Sequence, residues 1–183
     1  MDIQRLYFIV HPAFCASNRS TILGYTASEL SAFIRELLHP VLLRAARDPH
    51  ALLFYFKSRP PKVLEDYGSR ARLRRLASVE DQLEQRVHSA FEGTDRAIVV
   101  GRTVKGDDVK AAARQVVSRG HVLSPNALLI SHGAWRELCV RQYPLDFAAR
   151  LGIRPNLLIP TDASIKARDS DTRAIRKKAG RHE

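Results

Sequence analysis

The stretch ALLISHGAWRELCVRQYPLDFAARLGIRPNLLIPTDA, residues 127–163, decides the reading of the fold. Ala127–Ile130 is a short apolar run of the kind buried in a sheet. Ser131-His132-Gly133 reads as a turn at its end, and a helix follows with Cys139 near its N-terminus. Pro144 either kinks that helix or begins a new one through Phe147 and Leu151, and Gly152 stops it. Leu157–Ile159 is then a second strand, with Thr161-Asp162 at its end. A strand, a helix and a strand in this order predict a parallel pair, whose ligands belong beyond the carboxyl ends of the strands.

Working outward, three more apolar runs precede this unit: Leu6–Val10, Leu52–Phe56 and Ala97–Val100. All are near-continuously apolar rather than alternating, as strands covered on both faces are. Helical patterns separate them. Thr26-x-x-Glu29 is a capping box with Tyr25 placed to staple onto Leu30, and Phe33, Ile34, Leu37, Leu38, Val41 and Leu42 continue an apolar face that Pro40 should kink or shift. After Pro60-Pro61 and a basic segment, Ser78-x-x-Asp81 reads as the start of a helix through Leu83, Val87 and Phe91, stopped by Gly93. Asp107 or Asp108 caps a third helix that should bury Val109, Ala112, Ala113, Val116 and Val117 before Gly120. The predicted fold is an α/β three-layer sandwich, Rossmann-like, with a mainly parallel five-stranded sheet. Residues 1–163 should form one domain and residues 164–183 a basic C-terminal tail that is a weak helix or disordered.

The 183 residues are 45% hydrophobic and 27% charged, the balance of an ordinary globular protein. No apolar run approaches the roughly 20 residues that span a bilayer. Met1-Asp2-Ile3-Gln4-Arg5 leads straight into a strand-like run and lacks signal-peptide architecture. Cys15 and Cys139 make no disulfide framework, so a cytoplasmic location is expected. The net charge is +11. It concentrates in residues 57–75 (Lys57, Arg59, Lys62, Arg70, Arg72, Arg74, Arg75) and in the tail. Such patches are either solvated faces or binding surfaces for nucleic acid, where phosphate contact would dominate because only Tyr67 is available for stacking.

A parallel sheet would bring His11, Ser58-Arg59, Gly101-Arg102-Thr103, Ser131-His132-Gly133 and Thr161-Asp162 to one rim, where helix N-termini favour anions. No GxxxxGK[ST], GxGxxG or GxSxG occurs, which argues against a P-loop enzyme, an ordinary dinucleotide binder and a nucleophile-elbow hydrolase. No cofactor is implied, and no metal site is expected. His11, His132 and Asp162 would make one only by converging from separate strands.

The run Gly133-Ala134-Trp135-Arg136-Glu137-Leu138-Cys139-Val140, with Asp146, Ala148, Gly152 and Asp162-Ala163, resembles the nucleophile region of the isochorismatase-like cysteine hydrolases. The match covers about 40 residues closely and the remainder by topology. The resemblance implies a three-layer α/β sheet and hydrolysis of a small amide or related bond by an Asp, Lys and Cys set. It places Cys139 on the nucleophile and Lys105 near the family lysine. His11 stands where the family has its catalytic Asp, and a Cys–His pair is sound chemistry. Two outcomes stay open: a cysteine hydrolase using His11, or a relative that only binds a small anionic ligand, with Arg102, His132, Gly133 and Asp162 as contacts. Each residue also has a structural reading: Cys139 as a core thiol, His11 as a strand-end histidine satisfied by backbone, Lys105 as a solvated loop lysine. The partners these readings allow are a small anionic molecule, nucleic acid at the basic patches or a second copy of the chain, and not a membrane.

Overall fold

The structure is a computed structural model and describes residues 2–12, 32–57, 70–101, 107–134, 139–160 and 164–165. The capping box at Thr26, the Pro60-Pro61 break and the tail from residue 166 lie outside them. Six parallel strands form one sheet: β1 (Asp2–Val10), β2 (Ala51–Phe56), β3 (Ala97–Val100), β4 (Val122–Ala134), β5 (Asn156–Leu158) and the two-residue β6 (Ser164–Ile165). The main order is β3-β2-β1-β4-β5, with β6 also on β4. The chain thus runs outward from β1 to β3, then returns to the other side of β1 and runs outward again.

The helices are α1 (His39–Arg47), α2 (Arg70–Ala90), α3 (Asp107–Ser118) and α4 (Cys139–Leu151). Strand alternation sorts the core into two layers. Tyr7, Ile9, Leu53, Tyr55 and Ile130 face α1 and α2, packing on Leu38, Leu42, Leu83 and Val87. Leu6, Phe8, Val10, Phe54, Phe56 and Leu129 face α3 and α4, packing on Val109, Ala112, Val140 and Phe147. Phe8 and Phe54 are register partners, stacked at 4.9 Å, and the Phe147 ring closes on both at 5.4 and 4.6 Å. These three rings are fully buried. Two covered faces explain why the strands read as continuous apolar runs.

Several local expectations are corrected. Ser131-His132-Gly133 is strand, not turn: β4 continues through Gly133, which pairs with Val10 on one side and Ser164 on the other. The sheet therefore reaches two residues past the boundary expected at 163. Helix α2 starts at Arg70 rather than Ser78. Nothing from Arg70 to Ala90 breaks a helix, so Ser78 sits inside it and accepts from Gln82 Nε2 at 3.3 Å. Val117 is 70% exposed, since it lies one helical step beyond the buried Val116 just before the turn at Gly120. Pro40 acts as expected of a residue without an N–H: Phe33–Leu38 is wound as a π-helix, and a regular α-helix resumes with Pro40 in its first turn.

Candidate functional site

The strand order reverses between β1 and β4, so a crevice at their carboxyl ends is where an open α/β sheet holds a ligand. His11 follows β1 there. Its amide donates to the Phe56 carbonyl at 3.0 Å, its side chain is buried at 8% exposure, and its φ is +45°. A non-glycine residue in left-handed backbone costs roughly 1–2 kcal/mol and persists only where its surroundings hold it.

Those surroundings come from two helices on the α3/α4 face. Tyr143 in α4 brings its hydroxyl 3.3 Å from His11 Nε2 and 3.2 Å from Asp108 Oδ2. Asp108 lies in the first turn of α3 and is 5% exposed, where the helix N-terminus favours a carboxylate. The Tyr143 ring is held edge-on against Phe56 at 4.8 Å and His11 at 5.1 Å. Cys139, half-buried, opens α4 four residues before Tyr143 and so shares its face of the helix. Long helical side chains lean toward the N-terminus, which carries the phenol back toward the cysteine's turn.

A second device anchors that turn. Pro144 lies inside α4 and has no N–H for the Val140 carbonyl four residues earlier. The fully buried Ser131 hydroxyl donates to that carbonyl instead, at 2.6 Å, fastening α4 to the end of β4. Two residues on, Gly133 has a φ of +123°, and a Cβ there would lie 2.1 Å from the Val10 carbonyl oxygen. The residue is a close approach between β1 and β4 that no side chain fits.

His132 does not join this group. In strand alternation it goes with Ile130 and with its register partner Ile9, on the α1/α2 face, and it is 3% exposed. His132, weighed as an anion contact, is thus buried on the layer opposite Tyr143 and Asp108. Arg59, Arg102, Lys105 and Asp162 lie outside the described residues. Arg70, Arg72, Arg74 and Arg75 fall within the first six residues of α2. Lys57, at the start of the basic segment, is ion-paired with Glu84. Asp146, the later helix acid of the resemblance, accepts from Gln142 Nε2 at 2.6 Å on the outer side of α4. Sequence reading missed Tyr143 altogether and took Asp108 only for a cap. The signals available were a tyrosine one turn after Cys139 and an acid leading an amphipathic helix.

Among the described residues, no three His, Cys, Asp or Glu side chains are grouped to hold a metal ion. No helix among them is long and apolar enough to cross a membrane. Compared with known proteins, the chain matches no family model, no curated protein and no solved structure.

Proposed function

We propose that the chain is a cysteine hydrolase akin to the isochorismatase-like group, acting on a small amide or related bond of an anionic substrate. Cys139 is the nucleophile and His11 the base, where that family uses an Asp. The observation that carries this is the meeting of His11 with α4 through Tyr143, one turn from the cysteine that opens the helix. A helix N-terminus lowers a thiol's pKa, and an imidazole near such a thiol can take its proton.

In the reaction, the Cys139 thiol gives its proton to His11 and the thiolate adds to the substrate carbonyl carbon. The carbon–nitrogen bond breaks as the imidazolium returns the proton to the leaving nitrogen. Water then attacks the thioester, His11 takes a proton from it, and the carboxylate product leaves as the thiol is restored. Lys105, by the same likeness, would support the developing negative charge, with Arg102 and Asp162 as substrate contacts. A panel of small carboxylated amides should contain one that the protein hydrolyses, with the rate lost at least about a thousandfold in Cys139→Ser. Absence of turnover across the panel, or retained rate in the variant, overturns this function.

A second reading is favoured by the arginines gathered at the start of α2: a basic nucleic-acid-binding surface. Binding of a DNA duplex that weakens steeply with salt, and weakens further when Arg70, Arg72, Arg74 and Arg75 are replaced by Gln, would support it.

A further inference from the structure

We infer that Asp108 and Tyr143 are a positioning pair that fixes the tautomer of His11, keeping the ring proton on Nε2 and leaving Nδ1 as the basic nitrogen. Its catalytic consequence rests on the hydrolase reading; the tautomer itself does not. The direction of the hydrogen bonds follows from the group with least freedom. A carboxylate oxygen accepts, and a phenol has a single proton to give. The Tyr143 hydroxyl therefore gives its proton to Asp108 Oδ2, and its oxygen accepts from His11 Nε2–H. The three residues come from three elements: the end of β1, the first turn of α3 and the second turn of α4. The burial of His11 and Asp108 makes a polar chain costly unless each member is satisfied. The left-handed backbone at His11 aims the ring at a further cost. The arrangement is a carboxylate acting on an imidazole through an intervening phenol, which sets the tautomer as a directly bonded carboxylate does.

Nitrogen-15 spectra of the histidine rings, recorded at a pH where imidazole is neutral, distinguish protonated from unprotonated nitrogens. In the native protein His11 should show one tautomer, with Nε2 protonated. Tyr143→Phe keeps the ring that packs on Phe56 but removes the phenol oxygen, and should release His11 to a mixture of tautomers. Asp108→Ala removes the acceptor that holds the Tyr143 proton, and should shift His11 away from the native tautomer. Asp108→Asn keeps an acceptor oxygen and should preserve the native tautomer. His50, at the opposite end of the sheet, serves as an internal control and should not change. Where hydrolysis is measurable, Tyr143→Phe should lower kcat about tenfold or more with KM little changed. Tautomer shifts without any turnover would leave the positioning pair standing and remove the hydrolase. A His11 ring unchanged in both Tyr143→Phe and Asp108→Ala overturns the inference, whatever the activity.

Discussion

The two ends of the sheet are built on different principles. At the amino end of the strands, cations close on carbonyls and a carboxylate. Arg5 pairs with Asp48, whose other oxygen accepts from the His50 amide at 3.0 Å. Arg96 donates to the carbonyls of Ala46 at 2.9 Å and Asp48 at 2.6 Å while lying over the Phe91 ring. Arg119 reaches the carbonyl of Ala97 at 2.8 Å. These bonds close the C-terminal end of α1 and the turns entering β2 and β3, with long guanidinium side chains partly in solvent. At the carboxyl end His11, Asp108 and Ser131 are buried, the histidine backbone is left-handed, and a glycine is pressed against a neighbouring strand. The first arrangement ties a helix end and two turns to the sheet. The second accepts strain and desolvation, which is what a site in an α/β sheet does at that end.

Substitutions sharpen this contrast, and the largest effect belongs to Gly133. Gly133→Ala places a Cβ against the Val10 carbonyl and should cost at least about 3 kcal/mol in urea unfolding, a large share of a domain's stability. A loss below about 1 kcal/mol would mean that β1 and β4 separate easily. Ser131→Ala comes next. It deprives the buried Val140 carbonyl of its donor and should cost about 1–3 kcal/mol. No loss there would show that the first turn of α4 does not depend on β4.

At the amino end, Asp48→Ala should cost about 1–2 kcal/mol at neutral pH. Its carboxyl is held below the ordinary aspartate range chiefly by the hydrogen bond from Arg5, helped by the His50 amide and opposed by burial. A lowered folded-state value means the contribution is complete above the unfolded value of about 4 and fades as pH falls through the folded one. The gap between native protein and variant should therefore close in acid; a gap that persists unchanged breaks the assignment of this pair. The smallest effect separates two replacements of one residue. His11→Gly should be about 1 kcal/mol more stable than His11→Ala, because only glycine takes a φ of +45° without strain. Equal stabilities would remove the strain from the carboxyl end.

How much of this was legible follows from the range of each interaction. β1, β2 and β3 were readable because burial on both faces leaves a local apolar run. The extension of β4 through Gly133 was not, since it depends on pairing with Val10 more than 120 positions away, and glycine otherwise signals a turn. The start of α2 was misjudged because Ser78 and Asp81 look like a cap out of context, whereas inside a helix they occupy exposed positions. At the site, Cys139 and His11 stood out by chemistry and by their places at a helix start and a strand end. Tyr143 did not, because its partners, Asp108 and His11, lie 35 and 132 residues away in sequence. No local pattern records such contacts, and a tyrosine beside a proline in a helix gives little reason to look.

Reactivity of Cys139 is the measurement on which the carboxyl end stands or falls. In a Cys15→Ser background the protein has a single thiol. Folded at neutral pH, it should react with iodoacetamide at least about tenfold faster than an ordinary thiol of pKa about 8.5, and His11→Ala should abolish the excess. Slow labelling that quickens only on unfolding would make Cys139 a core residue packed with the α3/α4 layer, and the carboxyl end would then hold no nucleophile.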